Sequence, residues 1–366
     1  MKWSSEQTAA IDGVAAWLKE SRPRLFRLFG YAGTGKTTLA RHIAEGIDGD
    51  VLFAAFTGKA AHVMRQKGCD GATTIHSLIY RPRGSKEESD EPTFKLNFDS
   101  PLADADLLII DECSMVDEDL GNDILSFGTP VLVLGDPAQL PPVKGGGFFT
   151  DAEPDAMLQD VHRQAADNPI VALSMRIRAG EPLGSMSSDR CNVISRAELD
   201  SEAILAADQV LVGRNKTRRL YNQRIRELLG RTSPMPAAGD KLVCLRNDKT
   251  KGLLNGSCWV VDKFMKKEKS LLKMRISPDD PISKGTQLVR VLPEYFEGTD
   301  DALPFALKAR SDAFDYGYTL TVHKAQGSQW DHVVLFDESF AFREDRHRWL
   351  YTGITRAAET LTIVKS

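Results

Sequence analysis

Short apolar runs alternate with amphipathic stretches along the first part of the chain. The runs at 25–29, 51–56, 106–110 and 131–134 are apolar enough to be buried on both sides. Buried strands that alternate with helices are typical of a parallel sheet covered by helices on both faces. The pattern therefore predicts an α/β domain over residues 1–165.

A polar stretch interrupts this first domain. Residues 81–92 are rich in charged residues and Pro, and the alternating run 93–98 follows them. Alternation of this kind predicts a strand, so we expect a hairpin over about 81–100 that projects from the domain.

The pattern changes twice in the second half of the chain, residues 166–366. Helical and strand-helix patterns at 168–180 and 209–229 predict a second α/β domain. Short β-like runs separated by turn residues occupy about 236–308 and predict a small all-β module inserted in that domain. The apolar run 360–364 then predicts a final strand.

Composition narrows the class of protein. The chain has 366 residues, a length that suggests two domains, and its net charge of -4 gives no global basic field. Any polyanion site must therefore be a local groove. The five cysteines are scattered without paired spacing, which argues against disulfides or a zinc site and indicates a reducing compartment. With no membrane-length apolar run and no signal-peptide core at the start, we expect a cytoplasmic protein.

The segment 30–37 matches the phosphate-binding loop pattern G-x-x-x-x-G-K-[ST] at every fixed position. Glycines such as Gly33 and Gly35 let the backbone N–H groups face phosphates, Lys36 reaches the outer phosphates, and the Thr37 hydroxyl ligates magnesium. An apolar strand precedes the loop and a helix follows it. This context favours a nucleoside triphosphate site over a glycine-rich turn without function.

Two further strand ends carry candidate chemistry. The apolar run before Asp111 ends in the adjacent carboxylates Asp111 and Glu112, which suit a magnesium ligand and a group that orients the attacking water. Gln139 lies in the segment 135–143 after another apolar run, where it can meet the γ-phosphate. A Pro-rich turn is the alternative reading of that segment.

With these motifs the chain resembles superfamily 1 helicases of the RecD-like branch. The resemblance rests on several motifs in a fixed order along nearly the whole chain. They are residues 30–37, 111–112, 135–143, 318–328 and 351–357, with Gln7, 57–61, 74–77 and 162–164 in support.

The resemblance implies two RecA-like P-loop domains with parallel sheets, a small hairpin insertion in the first and a small SH3-like β-barrel in the second. It also implies ATP and Mg²⁺ in the cleft between the domains. The implied nucleotide contacts are Gln7, Gly33, Thr34, Gly35, Lys36, Thr37, Thr38, His162 and Gly327. Thr37 and Asp111 are the implied metal ligands. The implied catalytic residues are Lys36, Asp111, Glu112, Gln139, Arg163 and Arg356, the last two as arginine fingers.

The resemblance further implies a nucleic-acid track on both domains. Its implied residues are Thr57, Lys59, Thr74, His76, Thr321, His323 and Lys324. Hydroxyls and single basic groups of this kind bind phosphates without reading bases. Phe94 and Phe98 of the hairpin would form a strand-separating wedge or, equally, pin the hairpin to the domain. Lys263, Lys266, Lys267 and Lys269 of the β module form either a backbone contact or a solvated loop.

The function implied is an ATP-dependent DNA helicase that moves 5′ to 3′ on single-stranded DNA and unwinds duplex junctions. We expect a monomer that works beside replication or recombination proteins. An RNA helicase of the Upf1-like group stays open as an alternative, since strand discrimination depends on the 2′-hydroxyl environment. A P-loop kinase or switch leaves the motifs near Thr321 and Arg356 unexplained. A nonhydrolysing structural subunit is disfavoured because no catalytic position is missing.

Overall fold

In a computed structural model of the chain, the described residues are 3–20, 24–82, 94–142, 146–160, 168–248, 250–268, 270–279 and 285–365. The strands are β1 Leu25–Gly30, β2 Val51–Ala55, β3 Thr73–Thr74, β4 Tyr80–Pro82, β5 Phe94–Leu96, β6 Leu107–Asp111, β7 Val131–Gly135, β8 Ala156–Leu158, β9 Met186–Ser187, β10 Cys191–Ile194, β11 Gln209–Val212, β12 Lys241–Cys244, β13 Cys258–Glu268, β14 Leu271–Pro278, β15 Gln287–Val291, β16 Phe314–Tyr316, β17 Thr319–Thr321, β18 Trp330–Phe336 and β19 Ala357–Val364.

The α-helices are α1 Ser5–Glu20, α2 Lys36–Glu45, α3 Gly58–Gln66, α4 Ile75–Ile79, α5 Glu118–Leu125, α6 Pro169–Arg178, α7 Ser201–Ala206, α8 Asn215–Leu228, α9 Pro293–Glu297, α10 Phe305–Ala309 and α11 Arg346–Ile354. Short 3-10 helices cover Pro101–Ala103, Cys113–Met115, Arg196–Glu198, Asp300–Ala302 and Ser339–Asp345. None of the helices described is long and apolar enough to cross a membrane.

The first sheet has the strand order β3-β2-β6-β7-β1-β8, and its neighbouring strands pair in parallel. Successive side chains of a strand point to opposite faces. Leu107 and Ile109 therefore join the apolar cluster under α1, α2 and α3, whereas Leu108 and Ile110 join the cluster under α4 and α5. The predicted parallel sheet with helices on both faces is confirmed.

The second sheet repeats this architecture with the order β17-β11-β18-β19-β10-β9. Its strands are parallel apart from the edge strand β9, which pairs antiparallel with β10. Helices α6 and α11 pack on one face through Leu173, Ile177 and Trp349. The second predicted α/β domain is present.

The hairpin segment contains a short ribbon, in which β4 pairs antiparallel with β5. Residues 83–93 and the side chain of Phe94 lie outside the described part of the chain. The sequence pattern put Phe98 on the same strand as Phe94, but β5 ends at Leu96 because a turn follows, closed by a hydrogen bond from Ser100 N to Asn97 O. Phe98 is 58% exposed and its ring centroid lies 5.2 Å from that of Phe127.

The all-β module is a five-stranded antiparallel sheet in the order β15-β14-β13-β12-β16. Its core contains Trp259, Met274 and Phe314. The sheet includes β16, so it extends past the boundary at 308 that the sequence pattern indicated. A strand as short as β16 carries too few residues for its alternation to be recognised. The likeness to an SH3-like barrel stays a prediction.

Candidate nucleotide-binding site between the two sheets

The loop between β1 and α2 has the backbone shape that its glycines allow. Gly33 and Gly35 have φ of 81° and 80°, in the left-handed region that side chains disfavour. A Cβ added to Gly30 would lie 2.8 Å from the Cβ of Leu158, so only glycine fits there. No side chain of the described residues caps α2. Its first amide groups are therefore available to an anion.

Lys36 and Thr37 hold the two sides of this loop. The Lys36 ammonium donates to Gly30 O at 2.6 Å and to Tyr31 O at 3.0 Å. The Thr37 hydroxyl donates to Asp111 Oδ2 at 2.8 Å. A hydroxyl and a carboxylate are the oxygen donors that magnesium prefers, so this pair, formed by the ends of the P-loop and β6, fits the ion.

Glu112, directly after β6, is half-buried and has a strained backbone. Its φ of 54° is left-handed, a backbone conformation that costs about 1–3 kcal/mol in a residue other than glycine. Burial raises the pKa of Glu112 above its ordinary value, and the charges of Asp111 and Asp136 raise it further, against the opposing charges of Arg356 and Lys36. A buried carboxyl group with a raised pKa is suited to accept a proton from an attacking water.

Gln139 supplies an amide oxygen without a partner. The side chain is 7% exposed, and its Oε1 accepts no hydrogen bond from the described residues. Its backbone N–H donates to Asp136 O at 3.1 Å in the turn after β7. Leaving a buried polar atom unpaired costs about 1–3 kcal/mol. A water or a ligand hydroxyl in the cleft would remove this cost, which fits the role predicted for Gln139.

Arg356 approaches the site from the second domain. It is 5% exposed, and its Nε donates to Thr352 O at 3.0 Å while Nη1 donates to Ser328 O at 3.2 Å. These contacts fix the guanidinium at the end of α11. Its charge acts on the pKa of Glu112, so the two groups of opposite domains lie within electrostatic reach of each other.

Other contacts between the domains involve residues that sequence reasoning missed. The Tyr351 hydroxyl donates to Asp136 Oδ2 at 2.6 Å and accepts from Ala32 N at 3.0 Å. The guanidinium carbon of Arg178 lies 3.4 Å from the ring centroid of Tyr31. These residues stand in or near the recognised motifs, but their side-chain types gave no signal of a partner in the other domain.

A second pair of contacts joins the turn after β7 to the second domain. Leu140 N donates to the Thr352 hydroxyl at 2.9 Å, and Leu140 O accepts from Gln326 Nε2 at 2.9 Å. The turn that carries Gln139 is therefore held from both sides of its backbone.

The remaining predicted nucleotide residues have mixed placements. Gln7 is 3% exposed and donates to Thr34 O at 3.0 Å, so its amide supports the loop from α1. Thr38 lies in the first turn of α2. Gly327, predicted at the nucleotide, lies against the start of α3, where an added Cβ would be 3.0 Å from the Cβ of Ala60. His162 and Arg163 lie outside the described residues.

In the first domain, the predicted track residues lie at helix starts. The Thr57 hydroxyl caps α3 and the Thr74 hydroxyl caps α4, each accepting a backbone N–H of the first turn. The Lys59 ammonium lies 4.4 Å from the ring centroid of Trp330 in the second domain. The exposed ring of His76 lies between the rings of Phe56 and Tyr80.

In the second domain, the predicted track residues follow β17. The Thr321 hydroxyl accepts from Lys324 N at 3.3 Å. The ring of His323 lies 5.5 Å from that of Phe342, and burial lowers the pKa of His323. Burial and the charge of Arg218 lower the pKa of Lys324. All of these contacts lie within the second domain, whereas the Lys59–Trp330 contact joins the two domains.

Comparison with known protein families gives two matches. A model described as the AAA domain matches residues 2–195, more than half of the chain. A model described as the UvrD-like helicase C-terminal domain matches residues 316–364, which include β17, α11 and Arg356.

Individual relatives point the same way. The chain is 29% identical to the ATP-dependent RecD2 DNA helicase of Deinococcus radiodurans over 97% of this chain and 48% of that protein. It is 30% identical to the ATP-dependent DNA helicase dda of Enterobacteria phage T4 over 48% of this chain and 42% of that protein. The chain thus spans about half the length, or less, of these relatives. A Pif1 helicase from Bacteroides, in complex with ADP-AlF3 and single-stranded DNA, has a similar fold with a TM-score of 0.58 at 20% identity, covering 100% of this chain and 92% of that one.

Proposed function

Since the chain belongs to the AAA domain family, we propose that it is a superfamily 1 helicase of the RecD-like and Pif1-like group. In this proposal it is an ATP-dependent motor that moves 5′ to 3′ along single-stranded DNA and unwinds duplex DNA. One observation carries the proposal. Glu112, whose backbone is strained, and Arg356, whose guanidinium is fixed by hydrogen bonds, come from different domains, and the charge of Arg356 acts on the pKa of Glu112.

In this proposal ATP binds the loop before α2, and Lys36 leaves the loop carbonyls to hold its outer phosphates. Thr37 and Asp111 would hold Mg²⁺, which supplies charge neutralisation at the phosphates. Glu112 orients the attacking water and Gln139 senses the γ-phosphate. Arg356, with Arg163 as a second finger, stabilises charge in the transition state. Gln7 and His162 contact adenine.

The nucleic-acid track explains why an acidic chain would bind DNA. Thr57, Lys59, Thr74 and His76 lie on one domain, and the segment from Thr321 to Lys324 lies on the other. Hydroxyls and amides bind a phosphate backbone without reading bases, so binding should tolerate any sequence. Closing and opening of the cleft would alter the grip of each domain in turn and so move the strand.

The relatives favour DNA over RNA as the substrate, and the RecD-like branch favours the 5′ to 3′ direction of movement. The Deinococcus and phage relatives are DNA helicases by name, and the Bacteroides Pif1 helicase binds single-stranded DNA. The 5′ to 3′ direction follows from the RecD-like branch. We extend the proposal to action as a monomer at duplex junctions in the cytoplasm, beside replication or recombination proteins.

The test measures ATP turnover alone and with single-stranded DNA, single-stranded RNA or duplex DNA, and then unwinding of duplexes with one 5′ or one 3′ tail. We expect strong stimulation by single-stranded DNA and unwinding from the 5′ tail, both lost in Lys36→Ala. Stimulation by RNA alone would favour the Upf1-like alternative. Unwinding from the 3′ tail would contradict the assigned direction, and turnover unaffected by nucleic acid would contradict the motor itself.

A further inference from the structure

The hydroxyl of Tyr351 connects three parts of the cleft. It donates to Asp136 in the turn after β7 at 2.6 Å and accepts from the backbone N–H of Ala32 in the P-loop at 3.0 Å. The side chain belongs to α11 of the second domain and is 1% exposed. A single phenol oxygen thus meets two motifs of the first domain.

The hydrogen bond from the Tyr351 phenol to the Asp136 carboxylate is a strong one. Asp136 is 2% exposed, and its other oxygen accepts from Ala138 N at 3.0 Å. Burial, with the charge and hydrogen bond of Asp136, raises the pKa of Tyr351, so the phenol stays protonated and donates. A hydrogen bond from a neutral donor to a buried carboxylate is stronger than one between neutral groups.

The next residue on α11 extends the connection towards Arg356. The Thr352 hydroxyl accepts from Leu140 N at 2.9 Å, and Thr352 O accepts from Arg356 Nε at 3.0 Å. Tyr351 and Thr352 therefore hold the two ends of the turn that carries Gln139. The same stretch of α11 positions the Arg356 guanidinium.

A second contact reaches the neighbouring P-loop residue. Arg178 of α6 stacks on the ring of Tyr31, directly before Ala32 in the chain. Helix α6 packs against α11 in the core of the second domain. Two helices that pack together in the second domain thus contact consecutive residues of the P-loop.

We propose that Tyr351 is a positioning residue that links the P-loop and the Gln139 turn to α11, the helix that precedes Arg356, so that nucleotide on the P-loop sets the position of that arginine. Hydrogen bonds weaken steeply when their length or angle changes. The phenol therefore reaches both partners only at this separation of the domains and releases them when the cleft opens. The inference rests on the proposed function for its effect on turnover.

The test variant is Tyr351→Phe, which keeps the buried ring and removes only the hydroxyl. We expect turnover with single-stranded DNA to fall about tenfold, the scale of one hydrogen bond to a charged group, with KM for ATP changed less than about twofold. The matched control is Tyr316→Phe, which removes a buried hydroxyl that donates to Pro234 O at 2.7 Å in the all-β module. The control should turn over like the parent protein.

Tyr351→Phe also leaves the buried carboxylate of Asp136 without this donor, which should lower the melting temperature. The double variant Tyr351→Phe with Asp136→Asn removes that charge, so the melting temperature should return towards that of the parent protein while turnover stays low. Recovery of turnover as well would overturn the proposal, since the buried charge and not the lost link would then explain the defect. Unchanged turnover in Tyr351→Phe would overturn it too.

A measurement of cleft closure tests the role of Tyr351 independently of helicase activity. Labels at Asp70→Cys and Arg224→Cys, both exposed and on different domains, report the width of the cleft as a nonhydrolysable ATP analogue is added. We expect Tyr351→Phe to reach a smaller fraction of the closed state than the parent protein at saturating analogue. Normal closure would overturn the inference even in an active motor. A parent protein that closes but ignores DNA would contradict the proposed function alone.

Discussion

The two α/β domains treat the start of an equivalent helix in opposite ways. In the first domain, α2 follows a glycine-rich loop, and no side chain of the described residues caps it. In the second domain, α8 follows β11, and the carboxylate of Glu338 accepts from Gly213 N at 2.9 Å and from Arg214 N at 3.0 Å. One helix start is open to an external anion, whereas the other holds an anion of the protein itself.

Further contacts hold the Glu338 carboxylate at the start of α8. Its carboxylate also accepts from the Thr217 hydroxyl at 2.7 Å and from Arg214 Nε at 2.8 Å. Burial opposes ionisation, but these hydrogen bonds outweigh it and lower the pKa of Glu338. The same strand-helix unit can therefore bind a ligand or stabilise the fold. It binds a ligand where the anion at the helix start comes from outside the protein, and it stabilises the fold where the anion is a side chain such as Glu338.

Lys36→Ala tests whether the start of α2 is a ligand site, and it should have the largest effect. Among the described residues, the Lys36 ammonium donates hydrogen bonds only to loop carbonyls, so its loss removes charge for the phosphates but no core packing. We expect hydrolysis and unwinding to be abolished, measured by steady-state turnover, with an unchanged melting temperature. A large fall in melting temperature would mean that the P-loop is structural like the start of α8.

Arg356→Ala tests the other side of the cleft. We expect turnover to fall on the scale of ~10³, with a smaller loss of nucleotide affinity, because the guanidinium acts mainly in the transition state. Arg356→Lys should be a poor substitute, since lysine lacks the planar fork that holds Thr352 O and Ser328 O. Equal losses of affinity and turnover would indicate a ground-state contact.

Glu338→Gln tests the role of the carboxylate at the start of α8. We expect the free energy of unfolding to fall by about 1–3 kcal/mol, the cost of weakening hydrogen bonds to a buried charge, with ATP affinity unchanged. The side chain of Arg214 is 53% exposed and can return to water, which limits the loss. Denaturant titration with and without nucleotide measures both quantities.

The pH dependence of this loss has a definite sign. Because the pKa of Glu338 is lowered on folding, its contribution is complete above the ordinary glutamate range and is lost as pH falls through the folded value. The difference between the parent protein and Glu338→Gln should therefore shrink in acid. A difference that grows in acid would contradict the assigned role of the carboxylate.

Phe98→Ala should have the smallest effect, since the hairpin touches neither helix start. If the exposed ring acts as a wedge, its loss removes a base contact worth ~1–3 kcal/mol, so unwinding falls while DNA-stimulated turnover remains. Leu307→Ala, at another exposed apolar side chain, is the matched control. Loss of both activities with a lower melting temperature would favour packing on Phe127 instead.

Features that depend on neighbours along the chain could be predicted from the amino-acid sequence. The P-loop glycines are required by local backbone angles, and buried strands such as β6 and β7 are required by unbroken apolar runs. Both kinds of signal are short-range, so the fold class and the residues Lys36, Thr37 and Asp111 could be predicted. In the structure Thr37 and Asp111 meet because β1 and β6 are parallel strands of one sheet and end at the same edge of it.

The contacts between residues far apart in the chain are visible only in the folded structure. Ala32 and Tyr351 are 319 residues apart in the chain, and Gly213 and Glu338 are 125 apart. A tyrosine or a glutamate in a sequence does not indicate which distant backbone groups it will contact. Such contacts depend on how the two sheets pack, which is set by the summed burial of their apolar faces and not by any motif.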